Sequence, residues 1–181
     1  ALLADAKTPM IFVGSGAVAC GEAVEALAEM LQAPVIGNRT GRGILSNRHY
    51  LSLTQYAGHS LWEKADVVLA VGSRLQQPRM NWGTDDGLKI IHLDIDPVEI
   101  QRIGGADGEI VGDAQDIMPA LVDAVGKKAP ARESRREELE TLEGSVHAML
   151  EDKLGPQMSW IKVLREGLDD DGIFVDELTQ V

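Results

Sequence analysis

Residues 66–72 read DVVLAVG, five consecutive apolar residues with no polar face, closed by a glycine. An amphipathic element exposes one side to water, but this run has no side to expose. A strand of this kind is buried on both faces, which in practice means the interior of a parallel sheet covered by helices on each side. The same kind of run recurs along the chain. MIFVG (Met10–Gly14) follows a proline, PVIG (Pro34–Gly37) is a second short strand, KIIHLDI (Lys89–Ile95) is another, and EIVGD (Glu109–Asp113) is a fifth. Helical spacing alternates with them: Cys20, Val24, Leu27 and Leu31 recur at four, three and four, and Ile117, Leu121 and Val125 at four and four. Pro119 has to sit in the first turn of that second helix or kink it. GHSLWEKA contributes one or two helical turns. The expected fold is therefore α/β, a Rossmann-like, doubly wound and mainly parallel sheet of five to six strands with helices on both faces.

Composition excludes several classes of function. Seventeen Lys and Arg stand against 29 Asp and Glu, a net charge of −12, which argues against binding the phosphate backbone of nucleic acid or an anionic membrane. No run of 18 apolar residues exists to span a bilayer. The single cysteine, Cys20, rules out an internal disulfide and a Cys-based zinc site, and a reducing cytoplasm is compatible with it. The four histidines, His49, His59, His92 and His147, show no metal-ligand spacing. His92 lies inside an apolar strand and reads as a satisfied group of the core. The three tryptophans, with Met149 and Met158, read as packing.

Three segments lie where an open α/β sheet binds ligands, beyond the carboxyl ends of its strands. GSGAVA (Gly14–Ala19) fits G-x-G-x-x-A between a strand and a helix, a turn that lets the backbone approach a pyrophosphate at a helix N-terminus. It fits equally a tight turn with no ligand. An NAD-type site would place an acid about 20 residues on. The sequence there is GNRTGRG (Gly37–Gly43), with Arg39 and Arg42 instead, so an NADP-binding oxidoreductase module stands as the alternative. VGSRL (Val71–Leu75) sets a glycine, a hydroxyl and a guanidinium at one strand end. HLDIDP (His92–Pro97) sets Asp94 and Asp96 on one side of another, two residues apart. Asp96 precedes Pro97 and reads as a helix cap, as does Asp113, whereas Asp94 reads as a ligand contact.

The composition shifts after about Val125. GKKAPARESRREELETLE is charged and without a strong apolar stripe, the pattern of a linker with a solvated surface helix. The expected organisation is one α/β unit over 1–125, a charged connection over 126–158, and the start of something else over 159–181. In that last part a helix near Ser159–Leu168 leads, through the DDDG turn, to a buried strand opening at Ile173, Phe174 and Val175.

Taken in order, MIFVGSGA, APVIGNRTGRG, ADVVLAVGSRL, KIIHLDIDPVEI and IVGDA resemble the middle domain of the thiamine diphosphate-dependent enzymes, a family with acetolactate synthase-like, benzoylformate decarboxylase-like and oxalyl-CoA decarboxylase-like members. The resemblance covers about residues 7–125. SWIKVLREGLDDDGIFVDELTQV in turn resembles the opening of the family's next domain, which binds the cofactor's diphosphate. The resemblance implies that this chain is a piece of a larger enzyme, a homodimer or homotetramer. That enzyme would use thiamine diphosphate and Mg2+ to make or break a carbon–carbon bond beside the carbonyl of a 2-oxo acid. The chain itself would hold no catalytic residue and no metal ligand. The middle domain in such enzymes holds FAD without redox work, holds ADP, or serves as a spacer. Carried over by motif, the nucleotide contacts would be Gly14, Gly16, Thr40, Gly41, Gly72, Ser73, Arg74, Asp94 and Asp113, with Glu177 and Thr179 at an edge of the diphosphate site.

Overall fold

A computed structural model describes residues 1–175. Contacts divide the chain into two compact units, Ala1–Glu143 and Gly144–Val181. The first opens with a short helix α1 (Leu2–Asp5) and then alternates: β1 (Pro9–Val13), α2 (Gly21–Leu31), β2 (Val35–Gly37), β3 (Ser52–Leu53), α3 (Gln55–Trp62), β4 (Val67–Val71), β5 (Lys89–Asp94), α4 (Pro97–Gln101), β6 (Gly108–Val111) and α5 (Ala114–Gly126). The strands form one six-stranded sheet in the order β3-β2-β1-β4-β5-β6, every pairing parallel. The chain runs outward from β1 to β3, then returns to lay β4 on the other side of β1. Since crossovers between parallel strands are right-handed as a rule, winding in both directions from β1 is the arrangement that covers both faces of a sheet with helices. The α/β doubly wound fold expected from the apolar runs is the one observed.

Burial follows the pattern. All five residues of β1 and all five of β4 are buried, and Ile11, Val68, Leu69, Ala70 and Val71 are fully so. The face of α2 lies where the spacing put it, with Cys20, Val24, Leu27 and Leu31 all buried. Phe12 meets Trp62 at 5.7 Å edge-on and Trp82 at 5.9 Å between ring centroids, and the two indoles stand 5.4 Å apart. The indole N–H of Trp62 donates to the Gly83 carbonyl at 2.7 Å, which spares it the cost of an unpaired buried donor. The entry to β1 is clamped from the side. Asp66, at the start of β4, accepts from the backbone N–H of Lys7 at 2.6 Å and of Thr8 at 2.9 Å. Arg132 donates to the carbonyls of Ala4 and Ala6, tying the end of α1 to the segment after α5.

Several expectations are corrected. The edge strand β3 is absent from the reading above, because two residues inside a polar loop carry no strand periodicity. Pro119 lies in the second turn of α5, not the first, and the helix continues across it. The helix expected near Ser159–Leu168 is present, as the second part of a helical segment α6 (Arg136–Gly167) that breaks at Gly155 (φ 14°, ψ −93°). Pro156 explains that break, since it supplies no N–H and disfavours helical dihedrals in the residue before it. Trp160 is not packing: it is 70% exposed. Ile173, Phe174 and Val175 do not open a buried strand. They are exposed and outside any strand among the described residues, and the rest of the expected strand, 176–181, lies outside those residues.

Replacing Asp66 by alanine leaves two N–H groups at the mouth of β1 without their acceptor, that of Lys7 exposed and that of Thr8 partly buried. The loss expected is about 1–3 kcal/mol by urea unfolding. A loss below about 0.5 kcal/mol would show that water replaces the carboxylate there.

Candidate functional site

The strand order reverses between β1 and β4, and at such a switch point the loops leaving the two strands diverge and open a crevice. Here the two loops are held together beneath it. The Gly14 N–H donates to the Val71 carbonyl at 3.1 Å, and the Gly16 N–H donates to the Gly72 carbonyl at 3.2 Å. The same step repeats along the sheet edge. Asn38 N–H reaches Val13 O at 3.1 Å, Gly72 N–H reaches Leu93 O at 2.8 Å, and Gly112 N–H reaches Asp94 O at 3.0 Å. Each loop thus begins by extending the ladder of its neighbour.

This approach leaves no room for side chains. A Cβ on Gly14 would lie 2.3 Å from the Gly72 carbonyl oxygen, one on Gly72 would lie 2.4 Å from Gly16 Cα, and one on Gly41 would lie 2.1 Å from the Val13 carbonyl oxygen. Gly72 also sits at φ +51°. The glycines of the GSGAVA motif are therefore required by loop packing, and two of their amides are spent inward. The chain after Gly14 forms a 3-10 turn over Ser15–Cys20, so α2 begins only at Gly21, against the Ile44 carbonyl and outside the cleft. The sequence reading of a helix N-terminus at the crevice is corrected in this respect.

Above these loops lies a cleft of about 960 Å³, at the upper end of the range of about 300–1,000 Å³ usual for small-molecule sites. Gly14, Gly16, Thr40, Gly72, Ser73, Arg74, Asp94 and Asp113 line it. Gly41 does not, being buried beneath it. Glu177 and Thr179 lie outside the described residues. One wall was not read from the sequence: Gln76, Gln77, Met80 and Asn81, on and before a π-helical turn at Pro78–Trp82. Leu75, fully buried at φ +47°, holds the backbone that launches this wall in a conformation costly for a branched residue. The signal in the sequence was the pair of glutamines next to Pro78, polar residues following a buried strand. Arg39, raised as an NADP contact, lines the opposite rim with Asn38, whereas Arg42 is exposed and outside the lining.

The carboxylates divide as their positions dictate. Asp96 accepts from Val98 N–H at 2.8 Å and caps α4. Asp113 accepts from Gln115 N–H at 2.9 Å and caps α5 at the cleft edge. Asp94 turns one oxygen to the N–H of Asp96 at 3.0 Å, leaving the other uncommitted. Arg74 reaches across to Glu99 at 2.9 Å, and Arg102 beside Glu99, then Arg74, hold that carboxyl below the usual range.

His92 corrects a further expectation. It is buried as anticipated, 1% exposed, yet among the described residues neither ring nitrogen makes a hydrogen bond of good geometry, the Ser73 backbone being only a loose contact. Burial pushes its pKa down; Asp94, the Ser73 backbone and Glu109 oppose that shift, and Arg79 reinforces it. Burial likewise pushes the Cys20 thiol up, with Asp113 adding to the effect. The described residues give one grouping with metal-ligand proximity, Glu25, Glu29 and His49, whose donor atoms lie within 4.8 Å of one another. Its imidazole is already employed, Nδ1 accepting from Leu51 N–H at 3.2 Å and Nε2 facing Glu29 at 3.3 Å, so it carries no metal reading.

Residues 1–121 match the family described as thiamine pyrophosphate enzyme, central domain. Curated relatives include an acetolactate synthase of Arthrospira platensis, 34% identical over 131 residues, which is 65% of this chain and 22% of that protein. A probable acetolactate synthase large subunit of Methanococcus aeolicus is 35% identical over 134 residues, 67% of this chain and 22% of that one. The acetolactate synthase isozyme 3 large subunit of Escherichia coli K12 is 29% identical over 137 residues, 70% and 24%. The chain thus spans less than a quarter of the length of these relatives.

Two measurements check the geometry. Gly72→Ala combines a backbone clash with a left-handed dihedral and is expected to cost about 2–4 kcal/mol. Gly43→Ala, at φ +90° in open space, is expected to cost about 1 kcal/mol. Equal losses would mean that dihedral strain alone, not loop contact, governs Gly72. For His92, the unfolded chain takes up a proton at higher pH than the folded one. Stability is therefore full above the unfolded imidazole pKa of about 6.5 and falls below it by at most about 1.4 kcal/mol per pH unit. Urea midpoints at pH 7 and pH 5.5 are expected to show that decline, and His92→Gln to flatten it. An unchanged slope in the variant would assign the loss to other groups.

Proposed function

The chain belongs to the thiamine pyrophosphate enzyme family, as its central domain, and from that premise we propose that it is the non-catalytic, nucleotide-holding part of an acetolactate synthase-like enzyme. The parent makes or breaks a carbon–carbon bond beside the carbonyl of a 2-oxo acid. Thiamine diphosphate, with Mg2+, supplies the carbanion chemistry there. The groups that would hold it are sought in the parent's other domains, and no catalytic step is assigned to residues 1–175. The parent works as a homodimer or homotetramer in the cytoplasm. No described helix is long and apolar enough to cross a membrane.

The observation that carries the reading is the coincidence of motif and cavity. Eight residues from five separate segments line one cleft at the switch point of the sheet. FAD or ADP fits its chemistry. The uncommitted oxygen of Asp94 is an acceptor for ribose hydroxyls, and Arg39, Arg74 and the amides of Gln76, Gln77 and Asn38 are donors for a diphosphate. Because the Gly14 and Gly16 amides face inward, the diphosphate is met by side chains rather than by a glycine cradle. The domain organisation consistent with this reading is the α/β unit over 1–125, a charged connection over 126–158, and the beginning of a diphosphate-binding domain over 159–181.

Calorimetric titration of the full chain with FAD, ADP and NADPH tests it. FAD or ADP is expected to bind, with Arg74→Ala and Asp94→Ala each weakening the complex about tenfold. Selective binding of NADPH, lost in Arg39→Ala, would replace the reading with the oxidoreductase module. No binding of any of the three would leave the domain a spacer.

A further inference from the structure

We propose that His92 is a positioning residue for Asp94: its Nε2–H donates to Asp94 Oδ2 and sets the carboxylate to accept from the ribose hydroxyls of a nucleotide in the cleft. This rests on the nucleotide-holding role proposed above.

The pleat of β5 places residues 92 and 94 on one face of the strand, one rung apart. Asp94 stands at the strand end with its side chain 13% exposed, on the lining of the cleft, and His92 lies beneath it, 1% exposed. His92 Nε2 is 4.0 Å from Asp94 Oδ2. That is too long for a hydrogen bond and short enough for a small rotation of the carboxylate to make one. Two facts say that the rotation belongs to the working state. Asp94 Oδ1 is already fixed by Asp96 N–H at 3.0 Å, so Oδ2 is the oxygen still to be set. The imidazole is buried and neither nitrogen makes a hydrogen bond of good geometry, the Ser73 backbone giving only a loose contact, and a poorly partnered buried polar atom is destabilising until something supplies a better one.

With both oxygens held from below, the carboxylate plane is fixed and each oxygen retains a lone pair toward the cleft. Two fixed acceptors match the two donors of a cis-diol. They repel a phosphate, which directs the sugar rather than the diphosphate to the β5 end. The groups around the ring are consistent with a donor role. Burial is the largest influence and pushes the imidazole pKa down, Arg79 from the π-helical turn adds to that, and Asp94 on β5, the Ser73 backbone beyond β4 and Glu109 on β6 oppose it; the neutral ring still carries the one N–H that the donation needs.

The test compares ADP with 2′,3′-dideoxy-ADP by calorimetry on the full chain. The wild-type chain is expected to prefer ADP, and Asp94→Asn to erase that preference. His92→Leu is expected to weaken ADP about tenfold while changing the dideoxy analogue by less than about twofold. His92→Gln, which keeps a donor, recovers part of the loss and covers the case in which the leucine variant does not fold. Ring nitrogen NMR of the wild-type ADP complex is expected to show a protonated Nε2. Equal weakening of both nucleotides by His92→Leu, or a bare Nε2, overturns the proposal while leaving the nucleotide role intact. Binding of neither nucleotide removes that role and this proposal with it.

Discussion

The close approach of three backbone segments at the switch point sets the geometry of everything above it. The loops after β1 and β4 meet through Gly14, Gly16 and Gly72, and the loop after β2 closes on Val13 through Gly41, at separations where a single methyl group would collide with main chain. A backbone contact of this kind cannot relax by a change of rotamer, so the floor of the cleft is as rigid as the sheet. Each loop also begins with an amide that completes the neighbouring strand's ladder. The crevice is in this sense an outgrowth of the sheet rather than a feature of mobile loops, and its side chains start from fixed positions.

That rigidity has a cost for the obvious reading of the glycine motif. Amides that tie one loop to another are not available to an anion, and the carboxylates at the rim add repulsion. Two guanidinium groups, Arg39 and Arg74, face three carboxylates, Asp94, Glu99 and Asp113. Of the three, Asp113 is committed to a helix cap and Glu99 to arginine partners. The cleft is suited to a ligand that carries both a diphosphate and hydroxyl donors, and poorly suited to a bare polyanion.

Much of this was legible in the sequence, and the rest was not for identifiable reasons. Strands buried on both faces announce themselves by runs such as VVLAV, and the caps at Asp96 and Asp113 by their place before a proline and an apolar periodicity. The edge strand β3 was invisible because Ser52 and Leu53 gain their pairing from β2, not from a pattern of their own. The Gln76–Asn81 wall was missed because a π-helical turn has no periodicity to read. His92 was read as satisfied because its strand position gives burial, while partnership depends on side chains brought in from β6 and the π-helical turn. Trp160 was read as core because composition does not distinguish a buried indole from an exposed one.

The contact of Phe12 with Trp62 and Trp82 carries a spectroscopic consequence. Phe12 belongs to the central strand, and Trp82 ends the π-helical turn that bears the cleft wall. The two indoles lie 5.4 Å apart and edge-on, close enough to couple electronically. Near-ultraviolet circular dichroism of this protein therefore contains a built-in signal from the cleft wall. A ligand that shifts that wall changes the exciton geometry of the pair, without any label having been introduced.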